Sequence, residues 1–283
     1  MIITNKFNLP SAFVNLAEDD HEFKEKEYSV TTLLQPIREI MLKRRFYNEI
    51  EEDVSDRIWA IFGTAIHKVL ESADKTGNAE IDLRWEIVKG YYLTGRCDLY
   101  NEETFTIEDY KTCSVYKILQ KDFEDWRKQG LMYAWLSRKL GKYVGKLRFH
   151  ALMKDWSSKD YRHRGEKWYP EHPIWTWQYE ITENDMIEIE KFIRDKFDEI
   201  IKYESMKDLP LCTNSERWNA GNKYAIKKIG QKKAIKIYDS VEEAELNVCE
   251  GLEIETRPGE DKKCLDYCRV CKFCDYWKEK YGE

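Results

Sequence analysis

The 283-residue chain contains no stretch of 18 apolar residues, so no membrane-spanning helix is expected. Its N-terminus, MIITNKFNLP, has no basic segment followed by an apolar run, so no secretory leader is expected there. No Gly-x-x-x-x-Gly-Lys-Ser/Thr loop occurs, which excludes a phosphate-cradling motor built into this sequence. There is no internal repeat and no low-complexity segment. These absences leave a soluble, cytoplasmic chain of one large domain, or one and a half, long enough to bury a substantial core. Cysteine is not scarce: there are eight. In a reducing compartment that number points to metal binding or free thiols more than to disulfides.

The net charge of −6 argues at first against a polyanionic partner. The distribution matters more than the sum. Residues 223–236 carry six lysines and no acid. The segment 154–172 interleaves Trp156, Tyr161, Trp168 and Tyr169 with Arg162, Arg164 and Lys167. Aromatic rings stack on unpaired bases and cations follow phosphates, so Arg162, Arg164, Lys167 and Trp168 are candidate nucleic-acid contacts.

The most informative stretch is GRCDLYNEETFTIEDYK, residues 95–111. It reads as two adjacent strands, the first ending at Asp98 and the second carrying Asp109 and Lys111. Side chains at i and i+2 share a face of a strand, so Asp109 and Lys111 point the same way, beside Asp98 of the neighbour. Two carboxylates can hold a divalent cation. A lysine beside them can position a water or neutralise charge developing on a phosphate. An isolated Asp-x-Lys is close to chance in a chain with 35% charged residues, so the flanking residues carry the weight.

Those flanks hold three further motifs: Gly63 and His67 in GTAIHKVLE, Gly95 and Asp98 in GRCD, and Gln129 and Tyr133 in QGLMY. With the Asp109-x-Lys111 strand they stand in the order found in the RecB-like branch of the PD-(D/E)xK nuclease superfamily, which residues 28–140 resemble. Cys97 stands where the superfamily's name motif has proline. The resemblance extends to phage-type exonucleases, to AddB-type nucleases and to CRISPR-associated adaptation nucleases. It implies a restriction-endonuclease-like α/β core, with a mixed central sheet flanked by helices. It further implies Mg²⁺- or Mn²⁺-dependent hydrolysis of DNA, as an exonuclease in recombination, repair or processing. Asp98, Asp109 and Lys111 would be catalytic, with Glu86 and His67 assisting. His67, Asp98 and Asp109 would ligate the cation, and Gln129 and Tyr133 would hold the strand. The expected substrate is DNA that is single-stranded or has free ends. Unwinding would fall to a helicase or recombinase partner.

After Pro210 the character changes. A hairpin turning at Gly230 and a helix from residue 239 or 240 lead into Cys264, Cys268, Cys271 and Cys274, spaced C-x₃-C-x₂-C-x₂-C. Cys212 and Cys249 lie upstream. Four thiolates hold either a tetrahedral zinc or a [4Fe–4S] cluster. The resemblance implies three clustered cysteines plus a remote one upstream of the core, where this chain has Gln35-Pro36; either Cys212 substitutes, giving Cys212, Cys264, Cys268 and Cys274 with Cys271 spare or as substitute, or all four ligands come from the tail. Such a metal would staple the C-terminus and leave the chemistry to the carboxylates. The expected organisation is an N-terminal arm (1–27), a nuclease core (28–208) and a C-terminal hairpin-helix and cysteine-cluster module (209–283). The rival reading is a catalytically silent nucleic-acid-binding subunit of a recombination complex. A redox or iron sensor built on the tail is a third.

Overall fold

A computed structural model describes residues 1–18 and 24–282 of the chain. Of the expected N-terminal arm, residues 19–23 lie outside the described residues. The described part forms a short strand and the helix Ser11–Ala17. The chain divides into two compact units, one of residues 1–35 and 51–207, the other of residues 36–50 and 208–283.

The first unit contains β1 (Ile2–Thr4), β2 (Glu27–Ser29), β3 (Glu51–Asp53), β4 (Ala79–Val88), β5 (Tyr91–Asn101), β6 (Thr106–Cys113), β7 (Lys146–Met153) and β8 (Ile174–Glu180). β1 and β3 form a separate parallel pair. The others make one mixed sheet in the order β2-β5-β6-β7-β8, with β4 also paired to β5. β6 and β7 run parallel, joined by a helical crossover, while the β4–β5, β5–β6 and β7–β8 pairs are antiparallel.

The crossover is two helices, Val115–Gln120 and Glu124–Lys139, where a single helix over 114–140 is expected from the pattern. Lys121 breaks it by adopting a left-handed backbone (φ 55°), which ends the first helix. The second helix buries nine residues, Trp126 and Gly130–Ser137 among them. It lies on β7: a Cβ on Gly130 would sit 2.8 Å from Leu147 and 3.0 Å from Phe149. β7 alternates strictly, burying Leu147, Phe149, Ala151 and Met153. Helix Glu183–Glu204 opens with a Thr182–Asp185 capping box and buries Met186, Ile189, Ile193, Phe197 and Ile200 at helical spacing. Helix Ile58–Ala73 touches β6 through Gly63, whose Cβ would lie 3.4 Å from Thr112 Oγ1.

The expected loop at 154–172 folds back on itself around the helix Ser158–Arg164. Trp156 Nε1 donates to Pro170 O (2.9 Å), and Ser157 N donates to the hydroxyl of buried Tyr169 (2.9 Å). Trp156 and Tyr169 therefore pin the segment to itself.

The second unit joins helix Ile37–Arg45 to the C-terminal segment. It holds the antiparallel sheet β10-β9-β11, formed by β9 (Lys223–Lys228), β10 (Ala234–Tyr238) and β11 (Leu252–Arg257). Ile226, Tyr238 and Ala244 form its small core. The lysine run of 223–236 meets acid here: Lys227 pairs with Glu255 (2.7 Å) and Glu253 (3.5 Å) on β11, and Lys223 with Asp239. Asp261 is fully buried. It accepts from Arg217 Nε, Asn219 Nδ2, Tyr276 OH, Lys280 Nζ and Tyr281 OH at 2.6–3.1 Å.

Candidate active site

β5 and β6 are paired only over Leu99↔Glu108, Tyr100↔Ile107 and Asn101↔Thr106. Asp98 and Asp109 flank the point where that pairing stops. Asp98 lies inside β5, which continues to Asn101, whereas the sequence pattern ends the strand at Asp98. Its Oδ2 accepts a 2.7 Å hydrogen bond from the backbone N–H of Tyr110. The carboxylate thus bridges the diverging strands and is held rigidly by β6.

The other oxygen, Asp98 Oδ1, lies 3.3 Å from His67 Nδ1. Glu80 Oε1 lies 3.9 Å from the same nitrogen. Among the described residues, His67, Glu80 and Asp98 are the group whose potential ligand atoms all fall within 4.8 Å of one another. The hydrogen bond to Asp98 raises the His67 pKa against the effect of its burial, with the charges of Asp98, Asp109 and Glu80 adding to it. Burial and the Asp98 charge raise the Glu80 carboxyl. Several negative groups crowded this way make a site suited to a cation.

Asp109 is almost fully buried, and burial followed by the Asp98 charge raises its pKa, with Lys111 opposing. Asp109 Oδ2 lies 2.6 Å from Lys111 Nζ, a tight buried ion pair. Lys111 Nζ also donates to Gln129 Oε1 (2.7 Å), and Gln129 Nε2 donates to Tyr133 OH (3.0 Å). The i and i+4 spacing puts Gln129 and Tyr133 on one helix face, where they form a relay that aims the lysine.

Three placements differ from expectation. Glu86, expected beside Asp98, is far along β4, opposite Tyr92, and its carboxylate accepts from Gly90 N at the hairpin turn (2.7 Å). Glu80 takes that place. It sits across from Asp98, between the pairs Ala79↔Leu99 and Ile81↔Cys97, in a left-handed backbone (φ 51°) that a glutamate adopts only at a cost. Asp109, expected as a ligand beside His67 and Asp98, stands outside the group of three and is engaged by Lys111. Tyr133, expected on the DNA strand, is 6% exposed. Its ring packs under Gly95, where any Cβ would come within 2.8 Å of Cε1. Gly95 is therefore required by packing. Arg162, Arg164, Lys167 and Trp168 are all exposed, with Lys167 Nζ 5.1 Å from the Trp168 ring centre.

In the second unit, Cys212, Cys264, Cys268, Cys271 and Cys274 line one cavity, together with Arg38, Glu39 and Arg217. Arg38 Nη1 donates to Cys274 Sγ (3.3 Å), and its other nitrogens hold the carbonyls of Leu209 and Pro210. Burial pushes the thiols of Cys212 and Cys268 up to about 11 and about 12, and those of Cys264 and Cys271 upward too. Cys249 is exposed and lies apart from this cavity.

No family model matches the chain. No curated protein matches it in sequence. Among solved structures, SSO0001 is similar with a TM-score of 0.47 and 18% identity, over 66% of this chain and 82% of that one. A phage-related exonuclease from Haemophilus somnus 129PT is similar with a TM-score of 0.30 and 12% identity, over 69% and 80%.

Proposed function

We propose that the chain is a divalent-metal-dependent nuclease that hydrolyses phosphodiester bonds in DNA. The observation that carries this reading is the meeting of His67, Glu80 and Asp98 beside the buried Asp109–Lys111 pair, where β5 and β6 part. One imidazole with two or three carboxylates suits Mn²⁺ well and Mg²⁺ acceptably. A divalent ion held there would polarise a phosphate and lower the pKa of a bound water. Asp98 would hold the ion on an arm fixed by Tyr110 N. Lys111, steadied by Asp109 and Gln129, would orient the attacking water and offset charge growing on the phosphate. Gln129 and Tyr133 would keep that ammonium in place, positioning it rather than touching the strand.

The cysteine cavity is proposed to hold a structural metal, a [4Fe–4S] cluster or zinc. Five thiols line it and four suffice; the assigned set is Cys212, Cys264, Cys268 and Cys274. The fit is chemical: an arginine donates to one sulfur, and thiols that burial keeps protonated would be deprotonated by a bound metal.

Calorimetric titration of Mn²⁺ tests the first site. Wild-type protein is expected to bind one or two ions, and Asp98→Asn to lose that binding while its melting curve is retained. Equal binding by both proteins would remove the cation from this site, and the nuclease reading with it.

A further inference from the structure

Helix Ile58–Ala73 has an apolar sequence, IWAIFGTAIHKVLESA, yet none of its residues is buried. At 100° per residue, Trp59, Phe62, Ala65 and Val69 fall on one stripe of it. All four are exposed, Trp59 by 59% and Val69 by 64%. The same helix presents His67 to the candidate site. Trp59 precedes His67 by eight residues, roughly 12 Å along the helix axis.

The ring of Trp59 is tied to that site by a short chain of contacts. Gly63, one turn after Trp59, meets Thr112, the residue after Lys111. Cys113 O, one residue further, accepts from Lys154 N (2.9 Å). The ammonium of Lys154 then lies 3.9 Å from the centre of the Trp59 ring, and Phe62 meets Trp59 edge-on at 6.2 Å. An indole is thus held at the C-terminal ends of β6 and β7, next to the Asp109–Lys111 strand, with a cation on it and much of its surface in solvent.

Resting on the nuclease reading above, we infer that Trp59, backed by Lys154, is a stacking platform for an unpaired base of the DNA strand entering the site. Stacking needs a free base face, which single strands offer and a paired duplex does not. The ammonium beside the ring suits the phosphate that accompanies such a base. An apolar protein surface would cover the stripe too, but it would leave Lys154 with no counter-charge. The cation and the helix shared with His67 favour the nucleic-acid strand. Selection of unpaired DNA would then reside partly on the His67 helix itself.

The test is equilibrium binding of a labelled single-stranded oligonucleotide, with Ca²⁺ as the cation, measured by fluorescence anisotropy. Trp59→Ala is expected to weaken binding about 10-fold. Trp59→Phe should restore most of it, and affinity for blunt duplex should be unchanged in both. A second arm walks one abasic position along the oligonucleotide. One position should cost the wild type a similar factor and cost Trp59→Ala nothing further. Equal single-strand affinity of wild type and Trp59→Ala, equal losses on single strand and duplex, or an abasic walk with no sensitive position would each overturn the inference. An insensitive walk on wild-type protein overturns the inference even if Trp59→Ala misfolds, and Trp59→Phe and Lys154→Ala, the latter of which should weaken single-strand binding, then assign a sensitive position to this platform. Failure of the nuclease reading shows separately, as wild-type protein that binds the oligonucleotide but does not cut it in Mn²⁺.

Discussion

Glu80 shows how much a single residue's backbone can reveal. Its carboxylate reaches His67 and Asp98 from a left-handed conformation at the start of β4, strain that the surrounding strands impose. The turn pairs Val88 with Tyr91, which by simple counting sets residue 80 opposite residue 99; an irregularity between Glu86 and Val88 shifts the register by one and brings Glu80 opposite Asp98, and no local pattern announces that shift. The family resemblance points to Glu86 instead, on residue type and chain order, neither of which carries strand register. Glu80→Gln is expected to weaken Mn²⁺ affinity by at least the roughly 10-fold that follows loss of even a residue supporting a ligand. Glu86→Gln should leave it unchanged. The reverse pattern in a metal titration would return Glu86 to the site. Gly95 makes a second prediction at this scale. Gly95→Ala would drive a methyl into the Tyr133 ring, an overpacking that costs about 1–3 kcal/mol and lowers the melting temperature. A melt identical to wild type would show that the ring moves aside freely.

At the level of elements, what was legible was local. Residues 145–153 read as a strand and form β7, and residues 182–205 read as an amphipathic helix and form Glu183–Glu204. Asp109 and Lys111 were readable as neighbours because a strand has period two. What was not legible depends on distant partners. β11 follows a glycine turn and carries Glu253, Glu255 and Arg257. It becomes a strand by pairing along β9, where its acids meet Lys227. Residues 36–50 pack with the C-terminal segment, a grouping no local pattern announces. The break at Lys121 replaced one long helix by two, and the aromatics Trp156 and Tyr169, which by type suit base stacking, pack their own segment. In the second unit Asp261 is the buried hub. Burial alone would raise its pKa, but hydrogen bonds from Lys280, Tyr276, Asn219 and Tyr281 outweigh it and hold the carboxyl below its ordinary 3.8. Its contribution to stability is therefore complete above pH 3.8 and is lost as pH falls through the lower native value. Asp261→Asn should destabilise this unit by about 3–5 kcal/mol at pH 7. It should also flatten the acid limb of the unfolding curve below pH 3.8. A variant that denatures in urea like wild type at both pH values would contradict the assignment.

Over the whole molecule, an excess of acid coexists with a proposed polyanionic substrate. The acids crowd where a cation would sit, while Arg162, Arg164, Lys167 and Lys154 lie on the surface of the first unit. Strand affinity should then fall steeply as salt is raised. No described helix is long and apolar enough to cross a membrane. Protein purified without oxygen is expected to carry iron with visible absorbance, or zinc without it, at one site per chain. Cys268→Ser should lower that content and the stability of the second unit. Full metal content in Cys268→Ser would remove that thiol from the ligand set. Lys111, whose ammonium is fixed between Asp109 and Gln129, is the residue whose loss the proposed chemistry tolerates least. The decisive measurement is the cleavage rate of end-labelled linear single-stranded DNA in Mn²⁺ by wild-type and Lys111→Ala protein of equal melting temperature. Wild type is expected to cleave, EDTA to abolish the cleavage, and Lys111→Ala to be at least ~10²-fold slower, as a nuclease that depends on this lysine requires. Equal rates for the two proteins would contradict that dependence.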